Sequence, residues 1–175
     1  MRYVSIDIET LGLDPETCDI VEFGAVIDNG DALVDLPRFH CYFTKDTFRG
    51  EAYAMYMHNT ILQRIAKREE PYHYLRHDQL EGVFGRWLSD HNIVKPIIAG
   101  KNFGSFDLQF LKKIGFVEHD HRFIDPGSMY LRWKDNRIPG LDTCLKRAGF
   151  NHTVNHTAIE DALDVIRCIR KALSC

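Results

Sequence analysis

The absence of several sequence features excludes some classes of protein and some kinds of site. No apolar run in the 175 residues is long enough to cross a bilayer. The first residues lead into a predicted strand instead of a signal peptide, and no Cys-x-x-Cys pair, phosphate-binding glycine loop or Gly-x-Ser-x-Gly motif occurs. We therefore expect a cytoplasmic protein without membrane contact, and the sites that those motifs mark are excluded.

Cysteine and net charge are also scarce. The five cysteines are scattered along the chain at Cys18, Cys41, Cys144, Cys168 and Cys175. Their odd number and wide spacing favour reduced thiols over a disulfide framework. The net charge is −3, so no global positive field marks a nucleic-acid binder, although a local basic rim could still hold a phosphate backbone. The hydrophobic content of 45% is enough for one core, which predicts a single domain over residues 1–175.

The hydrophobic pattern predicts an α/β fold. Three strands come early, in "RYVSIDIET", "IVEFGAVID" and "RFHCYFT", and their close succession indicates an antiparallel meander. Residues 50–92 read as helical. Two short strands in "KPIIAG" and "RFIDPG" then alternate with helices, of which the last spans about Ala158 to Leu173. This order predicts a mixed sheet with helices packed on its faces.

Two carboxylates interrupt the first predicted strand. Alternate strand residues point to the same face, so Asp7 and Glu9 lie side by side at the end of this strand. Open α/β sheets place ligands at the carboxyl ends of their strands. For an isolated Asp-x-Glu, simple exposure to solvent is the more ordinary interpretation, and two further acidic positions therefore decide the matter.

These two positions are each predicted at the start of a helix. Asp107 falls in a first helical turn just beyond a strand, with Ser105 as the expected N-cap; an effect on the helix dipole alone is the alternative. Thr157 is the expected N-cap of the last helix and has capping-box spacing. That register brings His156 and Asp161 towards each other, and a pair that only closes the helix is the alternative.

A single pocket with four carboxylates needs cations. The four are Asp7, Glu9, Asp107 and Asp161. Hard divalent ions prefer carboxylate oxygen, and two of them would balance the four charges. Two metals roughly 4 Å apart stabilise both the attacking and the leaving oxygen of an in-line displacement at phosphorus. His156 could then accept the proton of the attacking water near neutral pH.

At these residues the chain resembles the DEDDh-type 3′-to-5′ exonucleases, a superfamily with epsilon-type proofreading subunits, ribonuclease T and oligoribonuclease. The segments "SIDIETLGLD", "GKNFGSFDLQFL" and "HTAIEDA" match its three motifs in order across nearly the whole chain. The resemblance implies a ribonuclease H-like fold, a five-stranded mixed β-sheet with an antiparallel second strand and flanking helices. It also implies two Mg²⁺ or Mn²⁺ ions, and release of nucleoside 5′-monophosphates from the 3′ end of single-stranded DNA or RNA.

The resemblance further implies contacts to the 3′-terminal nucleotide. The candidates are Thr10 and Leu11 after the first motif, Met57 and His58 in "AMYMHNTILQRIA", and Asn102 and Phe106 at the second motif. Phe106 and Phe103 could stack on a base, which tolerates any sequence. For Leu11, the methionines and the phenylalanines, a place in the core is the alternative. The extra leucine before Gly12 departs from the usual Thr-Gly-Leu of relatives.

Other roles stay open at this stage. A proofreading module of a DNA polymerase is one alternative, although no evident tethering tail supports a polymerase partner. A non-catalytic nucleic-acid-binding member of the fold is another, although all five motif residues are filled. Some relatives are dimers, which leaves a homodimer open. The segment "MYLRWKDNRIPGLDT" carries Arg132, Lys134 and Arg137, with Lys146 and Arg147 nearby. These cations rim a strand-binding channel or form an ordinary solvated face.

Overall fold

The central layer of the fold is a mixed β-sheet in the computed structural model, which describes residues 2–174. Within these residues the strands are β1 (Tyr3–Thr10), β2 (Ile20–Asp28), β3 (Arg38–Phe43), β4 (Tyr74–Leu75), β5 (Ile98–Ala99) and β6 (Phe123–Ile124). They lie in the order β4-β3-β2-β1-β5-β6. β2 is antiparallel to β1 and β3, whereas the pairings β1–β5, β3–β4 and β5–β6 are parallel. The expected mixed sheet with an antiparallel second strand is therefore confirmed.

The number of strands differs from the expectation of five. The additional strand is β4, which falls inside residues 50–92, where only helix was expected. Its two residues pair with Tyr42 and Phe43 of β3. A strand of this length has no alternating pattern of its own, so the neighbouring strand, and not the local sequence, determines that it forms.

Helices cover both faces of the sheet. Within residues 2–174 they are α1 (Ala52–Met57), α2 (Asn59–Lys67), α3 (Leu80–Asp90), α4 (Asp107–Ile114), α5 (Pro126–Met129), α6 (Leu141–Ala148) and α7 (Ala158–Leu173). Two short 3₁₀ helices span Leu33–Asp35 and His77–Gln79. The last helix has the bounds that its apolar stripe predicts. None of the described helices is both long and apolar enough to span a membrane.

Alternate residues of β1 enter different cores. Ile6 and Ile8 pack in a cluster with residues of α3 and α4, whereas Tyr3 packs in a second cluster with α6 and α7. Asp7 and Glu9 share the face of Tyr3, because strand residues alternate between faces. The two carboxylates are therefore directed to the side of the sheet that α7 covers.

The carboxyl ends of the parallel strands meet at one edge of the sheet. β1 ends there at Thr10, β5 at Ala99 and β6 at Ile124, and we call this the carboxyl edge. The register of the β1–β2 ladder shifts between Glu9 and Thr10, as occurs where a strand bends at a functional edge. The chain after each of these strands therefore leaves from the same side of the molecule.

Candidate active site

Three carboxylates meet at the carboxyl edge. Asp7 and Glu9 come from β1 and Asp161 from the first turns of α7, and one oxygen of each lies within 4.8 Å of the other two. Oδ1 of Asp161 is buried and, within residues 2–174, has no hydrogen-bond partner. An unpaired buried carboxylate oxygen beside two other carboxylates is the donor set that a hard divalent cation takes. The residues present therefore fit a metal centre.

The fourth predicted carboxylate, Asp107, comes from α4, the helix that follows β5. It is the first residue of α4 and is buried. It is not one of the three residues with oxygens within 4.8 Å. Its charge nevertheless raises the pKa of Asp7, after burial and more strongly than Glu9 does. Asp107 therefore lies outside the group of three, and its role as a metal ligand stays a prediction.

The electrostatics of the cluster all favour protonated carboxyls without a cation. Burial, followed by the charges of Asp107 and Glu9, raises the pKa of Asp7 well above its ordinary value. Burial and then Asp161 raise the pKa of Glu9 to about 9. Burial raises the pKa of Asp107 to about 7 against backbone hydrogen bonds that lower it, and burial followed by Asp164 raises that of Asp161 to about 7. Bound positive charge would reverse these shifts.

A fifth carboxylate lies beside the cluster. Glu22 on β2 stands directly opposite Glu9 in the antiparallel ladder and is fully buried. Its Oε1 is 2.7 Å from Nε2 of His40, and its Oε2 has no hydrogen-bond partner in the described chain. Sequence reasoning missed this residue, although it gives the same signal as Asp7, an acid inside an otherwise apolar strand.

Comparison with protein-family models gives a match to the exonuclease family RNase_T over residues 4–168. The chain belongs to this exonuclease family. The expected membership of the DEDDh-type superfamily is thereby confirmed at the level of the family. A PolC-type DNA polymerase III of Thermotoga maritima is 26% identical to it over 166 residues, which make up 91% of this chain and 11% of the polymerase.

Solved structures of E. coli exonuclease I resemble this exonuclease in fold. A zinc-bound complex of exonuclease I with single-stranded DNA aligns with a TM-score of 0.69 at 16% identity, over 99% of this chain and 40% of that chain. A product-bound structure aligns with a TM-score of 0.66 at 17% identity, over 99% of this chain and 43% of that one. The chain therefore spans about two fifths of exonuclease I and about a tenth of the polymerase.

Of the predicted substrate residues, His58 lies close to a β1 carboxylate of this exonuclease. It follows α1, is buried, and has Nε2 at 3.4 Å from Oε2 of Glu9. Burial lowers its pKa, although the charge of Glu22 acts to raise it; His156 adds a smaller lowering effect. A neutral His58 could donate a hydrogen bond to the Glu9 carboxylate. It could instead donate this hydrogen bond to a ligand that binds between the two side chains.

His156 is placed at the entrance of the site. It is exposed, precedes the N-cap Thr157 of α7 and has a left-handed backbone with φ of 51°. It makes no hydrogen bond or ion pair with Asp161 within residues 2–174, so the expected pairing of the two is absent. Thr157 is the N-cap as expected, but its side chain makes no capping hydrogen bond. The expected capping box is therefore wrong.

The helix cap at the second motif also differs from the expectation. Phe106, and not Ser105, occupies the N-cap position of α4. The Ser105 hydroxyl instead donates to the carbonyl of Asn102, which the turn before the helix brings within 3.1 Å. Asn102 is exposed with φ of 61°, and its backbone N–H donates to Asp125 Oδ2 at 3.1 Å.

The remaining candidates divide between core and surface. Leu11 is fully buried in a cluster with α2, and Phe103 is buried in the main core. The core interpretation describes both positions. Phe106 is half-buried against Phe110, and Met57 is partly exposed at the end of α1.

The short helix α1 carries two exposed aromatic residues that sequence reasoning did not select. Tyr53 and Tyr56 are largely exposed, and their spacing puts them on one face of the helix. The same helix ends at Met57 beside the buried His58. The spacing of the tyrosines is also typical of a core stripe, so only the structure shows that they face solvent next to the site.

Proposed function

We propose that this exonuclease-family chain hydrolyses phosphodiester bonds at the 3′ end of single-stranded DNA or RNA and releases nucleoside 5′-monophosphates. The observation that supports it most directly is the meeting of Asp7, Glu9 and Asp161, with oxygens within 4.8 Å. Buried like charges repel, and each has lost its hydration. A purely structural role leaves this energetic cost without compensation, whereas bound cations would offset it, and a cation-dependent centre needs carboxylates grouped in this way.

The cofactors we propose are two divalent cations, Mg²⁺ or Mn²⁺. Asp7, Glu9, Asp107 and Asp161 would hold them, because hard cations prefer carboxylate oxygen and the cluster offers an unpaired one at Asp161. When bound, such ions supply positive charge that stabilises the attacking and leaving oxygens of an in-line displacement at phosphorus.

His156 is the proposed general base. Its imidazole is exposed at the start of α7, where water and substrate can reach it, and it can accept a proton near neutral pH. In this role it would take the proton of the water that attacks the terminal phosphodiester. The exposed position suits a proton acceptor that must return its proton to solvent after each cleavage.

The proposed strand binds along the carboxyl edge. Thr10, Leu11, Met57, His58, Asn102 and Phe106 are the proposed contacts to the terminal nucleotide. Leu11 is fully buried and its N–H donates to the Asp19 carbonyl at 2.9 Å, so it would act by holding the chain after the first motif in place. The exposed Tyr53 and Tyr56 add aromatic surface beside Met57, which suits unpaired bases. The exonuclease I complexes with single-stranded DNA support a ligand of this kind here.

The test is a time course with 5′-labelled single-stranded DNA and RNA in Mn²⁺ and in EDTA. We expect stepwise shortening from the 3′ end that EDTA stops. Asp161→Asn should remove more than about 99% of the rate, since electrostatic stabilisation of this kind contributes on the order of hundredfold or more. Asp90→Asn, which alters an exposed carboxylate at the end of α3, is the matched control. An Asp161→Asn variant that cleaves at the control rate would refute the proposal.

The division of roles has its own test. His156→Ala should slow cleavage by about a hundredfold or more, while calorimetric titration shows Mn²⁺ binding as in the unaltered protein. Asp7→Asn should lose both cleavage and Mn²⁺ binding. If His156→Ala instead loses Mn²⁺ binding, the histidine is a metal ligand and not the base.

A proofreading module of a DNA polymerase is a second candidate. It is favoured by the PolC-type polymerase, in which a segment matching this chain is 11% of the whole. Co-purification with a polymerase, and faster removal of a mispaired than of a paired primer end, would support this role. Binding of oligonucleotides without cleavage in Mn²⁺ would instead indicate a non-catalytic member. Light scattering tests the proposed alternatives of monomer and homodimer.

A further inference from the structure

The loop between α5 and α6 presents a tryptophan entirely to solvent. Trp133 has a relative exposure of 101%, and Leu131 and Ile138 in the same loop are about half exposed. We call residues 130–140 the Trp133 loop. The Trp133 side chain stabilises nothing in the fold, because folding removes none of it from water. Exposed apolar side chains grouped in this way mark binding surfaces.

The Trp133 loop is held in place by an ion pair at its centre. The Arg147 guanidinium at the end of α6 donates to both oxygens of Asp135, at 2.5 and 2.7 Å, and also to the carbonyl of Tyr130 at 2.7 Å. The backbone N–H of Arg132 donates to Asp135 at 2.8 Å. Both side chains of the ion pair are mostly shielded from solvent. Trp133 therefore lies on a loop whose conformation is held by these hydrogen bonds.

The Trp133 loop also carries exposed positive charge. Lys134 and Arg137 are exposed and form no ion pair within the described chain. They line a hollow of about 290 Å³ together with Thr143 and Arg147. The acid in this hollow, Asp135, is already neutralised by Arg147. A loop that presents both free cations and an exposed aromatic ring complements a ligand that combines phosphates with unpaired bases.

The Trp133 loop is connected to the part of the molecule that holds the carboxylates. Its last residues return to the carboxyl edge, where Ile138 packs so closely on Gly127 of α5 that a Cβ there would lie 2.6 Å from Cγ2 of Ile138. α6 begins directly after the loop and packs against α7, the helix that carries Asp161. A strand with its 3′ end at Asp161 could therefore continue past this helix onto the loop.

We propose that the Trp133 loop binds the single strand on the 5′ side of the cleaved nucleotide, with Trp133 stacked on a base and with Lys134 and Arg137 contacting phosphates. This rests on the proposed function, because the ligand is the same strand. It adds a second point of attachment for substrates that are long enough to reach it. We therefore expect the loop to favour long substrates over short ones.

The test measures binding separately from cleavage. A 5′-labelled oligothymidylate is titrated in EDTA and followed by fluorescence anisotropy. Trp133→Ala should weaken binding about five- to hundredfold, the range for loss of one base–aromatic stack, and Trp133→Phe should restore most of it. The double variant Lys134→Glu, Arg137→Glu should bind more weakly and with a shallower salt dependence, because it makes fewer phosphate contacts.

The controls alter similar residues elsewhere. Val94→Ala changes an exposed apolar residue in the loop before β5, and Arg86→Glu reverses an exposed cation on α3. Neither should change the affinity. The two tryptophans are Trp87, which packs against the core, and Trp133. Oligonucleotide should therefore quench the fluorescence of the unaltered protein, and most of that quenching should be absent in Trp133→Phe.

The outcomes separate this proposal from the proposed function. If the unaltered protein shortens DNA while Trp133→Ala binds oligothymidylate as the controls do, the loop proposal is wrong and the exonuclease stands. If no substrate is shortened but binding and quenching depend on Trp133, the exonuclease proposal fails and the binding surface stands. The loop proposal would also be overturned if Trp133→Ala weakened the binding of duplex and single-stranded DNA equally. It would likewise be overturned if Trp133→Ala changed only the oligomeric state of the protein.

Discussion

Gly24 on β2 lies against the backbone of Ala158, the first residue of α7. A Cβ at Gly24 would be 2.5 Å from the carbonyl carbon of Ala158 and 2.5 Å from the backbone nitrogen of Ile159. Gly24 is also the cross-strand partner of Asp7. The absence of a side chain at this position therefore lets the start of α7 contact the sheet beside Asp7, and this brings Asp161 to the β1 carboxylates.

Substitution of Gly24 should disturb the site and the fold together. We expect Gly24→Ala to lower the free energy of unfolding by about 1–3 kcal/mol, because backbone atoms of α7 must move to admit the methyl group. Mn²⁺ affinity should fall as well, since α7 carries Asp161. Urea denaturation and calorimetric Mn²⁺ titration measure the two effects.

The matched control for Gly24 is Gly82 in α3. A Cβ there would contact only a nitrogen of the flexible Arg86 side chain at 3.7 Å. Gly82→Ala should be neutral or stabilising by up to about 1 kcal/mol, because alanine favours helix over glycine. A Gly24→Ala protein as stable as the control would contradict the packing argument.

The acidic site could be predicted because its residues break local rules. Asp7 and Glu9 interrupt an apolar strand, and Asp161 stands at the edge of a buried helical stripe, so each is visible in a short window of sequence. Glu22 breaks the same rule, yet its role depends on the register that sets it opposite Glu9. That pairing is a non-local property that no single window contains.

Other features are invisible locally for different physical reasons. β4 consists of two residues that are extended because β3 offers them hydrogen bonds. Ser105 has the chemistry of an N-cap, but the tight turn at Asn102 takes its hydroxyl and leaves Phe106 at the start of α4. Leu11 follows the first motif as a substrate contact would, and tertiary packing against α2 buries it.

The stability of the metal-free protein should decrease as pH rises. The folded-state pKa is about 9 for Glu9 and about 7 for Asp107 and Asp161, above their ordinary values near 4. The folded protein therefore binds protons more tightly than the unfolded chain. The resulting stabilisation is complete below about pH 4 and is lost as pH rises through about 7 and then 9. Urea midpoints in EDTA should fall between about pH 5 and about pH 9.

Divalent metal should remove most of that dependence. Mn²⁺ binds the ionised carboxylates of the folded state, so it should stabilise the protein more at about pH 8 than at about pH 5. Asp161→Asn should show a smaller fall of the midpoint in EDTA and a smaller gain with Mn²⁺. A midpoint in EDTA that stays level over this range would show that the carboxylates are not held in a desolvated cluster.

Glu22→Gln should stabilise the metal-free protein. Like charges that face each other across an antiparallel pair are destabilising by up to about 1 kcal/mol, and Glu22 faces Glu9. The amide oxygen of glutamine can still accept a hydrogen bond from His40, which now lies 2.7 Å from Oε1. Because burial and Asp161 raise the pKa of Glu9 to about 9, Glu9 carries its charge only above that pH. We therefore expect a gain of up to about 1 kcal/mol in EDTA at about pH 10 by urea denaturation, and a smaller gain at about pH 7.

The control for this substitution is Glu81→Gln on α3, where the carboxylate is exposed and the change should be within about 0.5 kcal/mol. Weaker Mn²⁺ binding in Glu22→Gln alone would show that the fifth carboxylate contributes to the charge that holds the metal. A loss of stability in EDTA would instead mean that the Glu22–His40 contact depends on a charged carboxylate.

Arg170 near the end of α7 should contribute stability that is lost at low pH. Its guanidinium donates to both oxygens of Asp28 at the end of β2, at 2.5 and 3.1 Å, and to the carbonyl of Asp31 at 2.7 Å. Burial acts to raise the pKa of Asp28, but the hydrogen bonds from Arg170 lower it below its ordinary value. The stability from this pair is therefore present at neutral pH and is lost as pH falls below about 4. Arg170→Ala should lower the free energy of unfolding by about 1–3 kcal/mol at about pH 7, and this loss should shrink towards about pH 3.

The control is Arg86→Ala on α3, which should leave the free energy of unfolding unchanged at both pH values. An Arg170→Ala loss that is equal at the two pH values would instead be explained by lost packing of the arginine side chain.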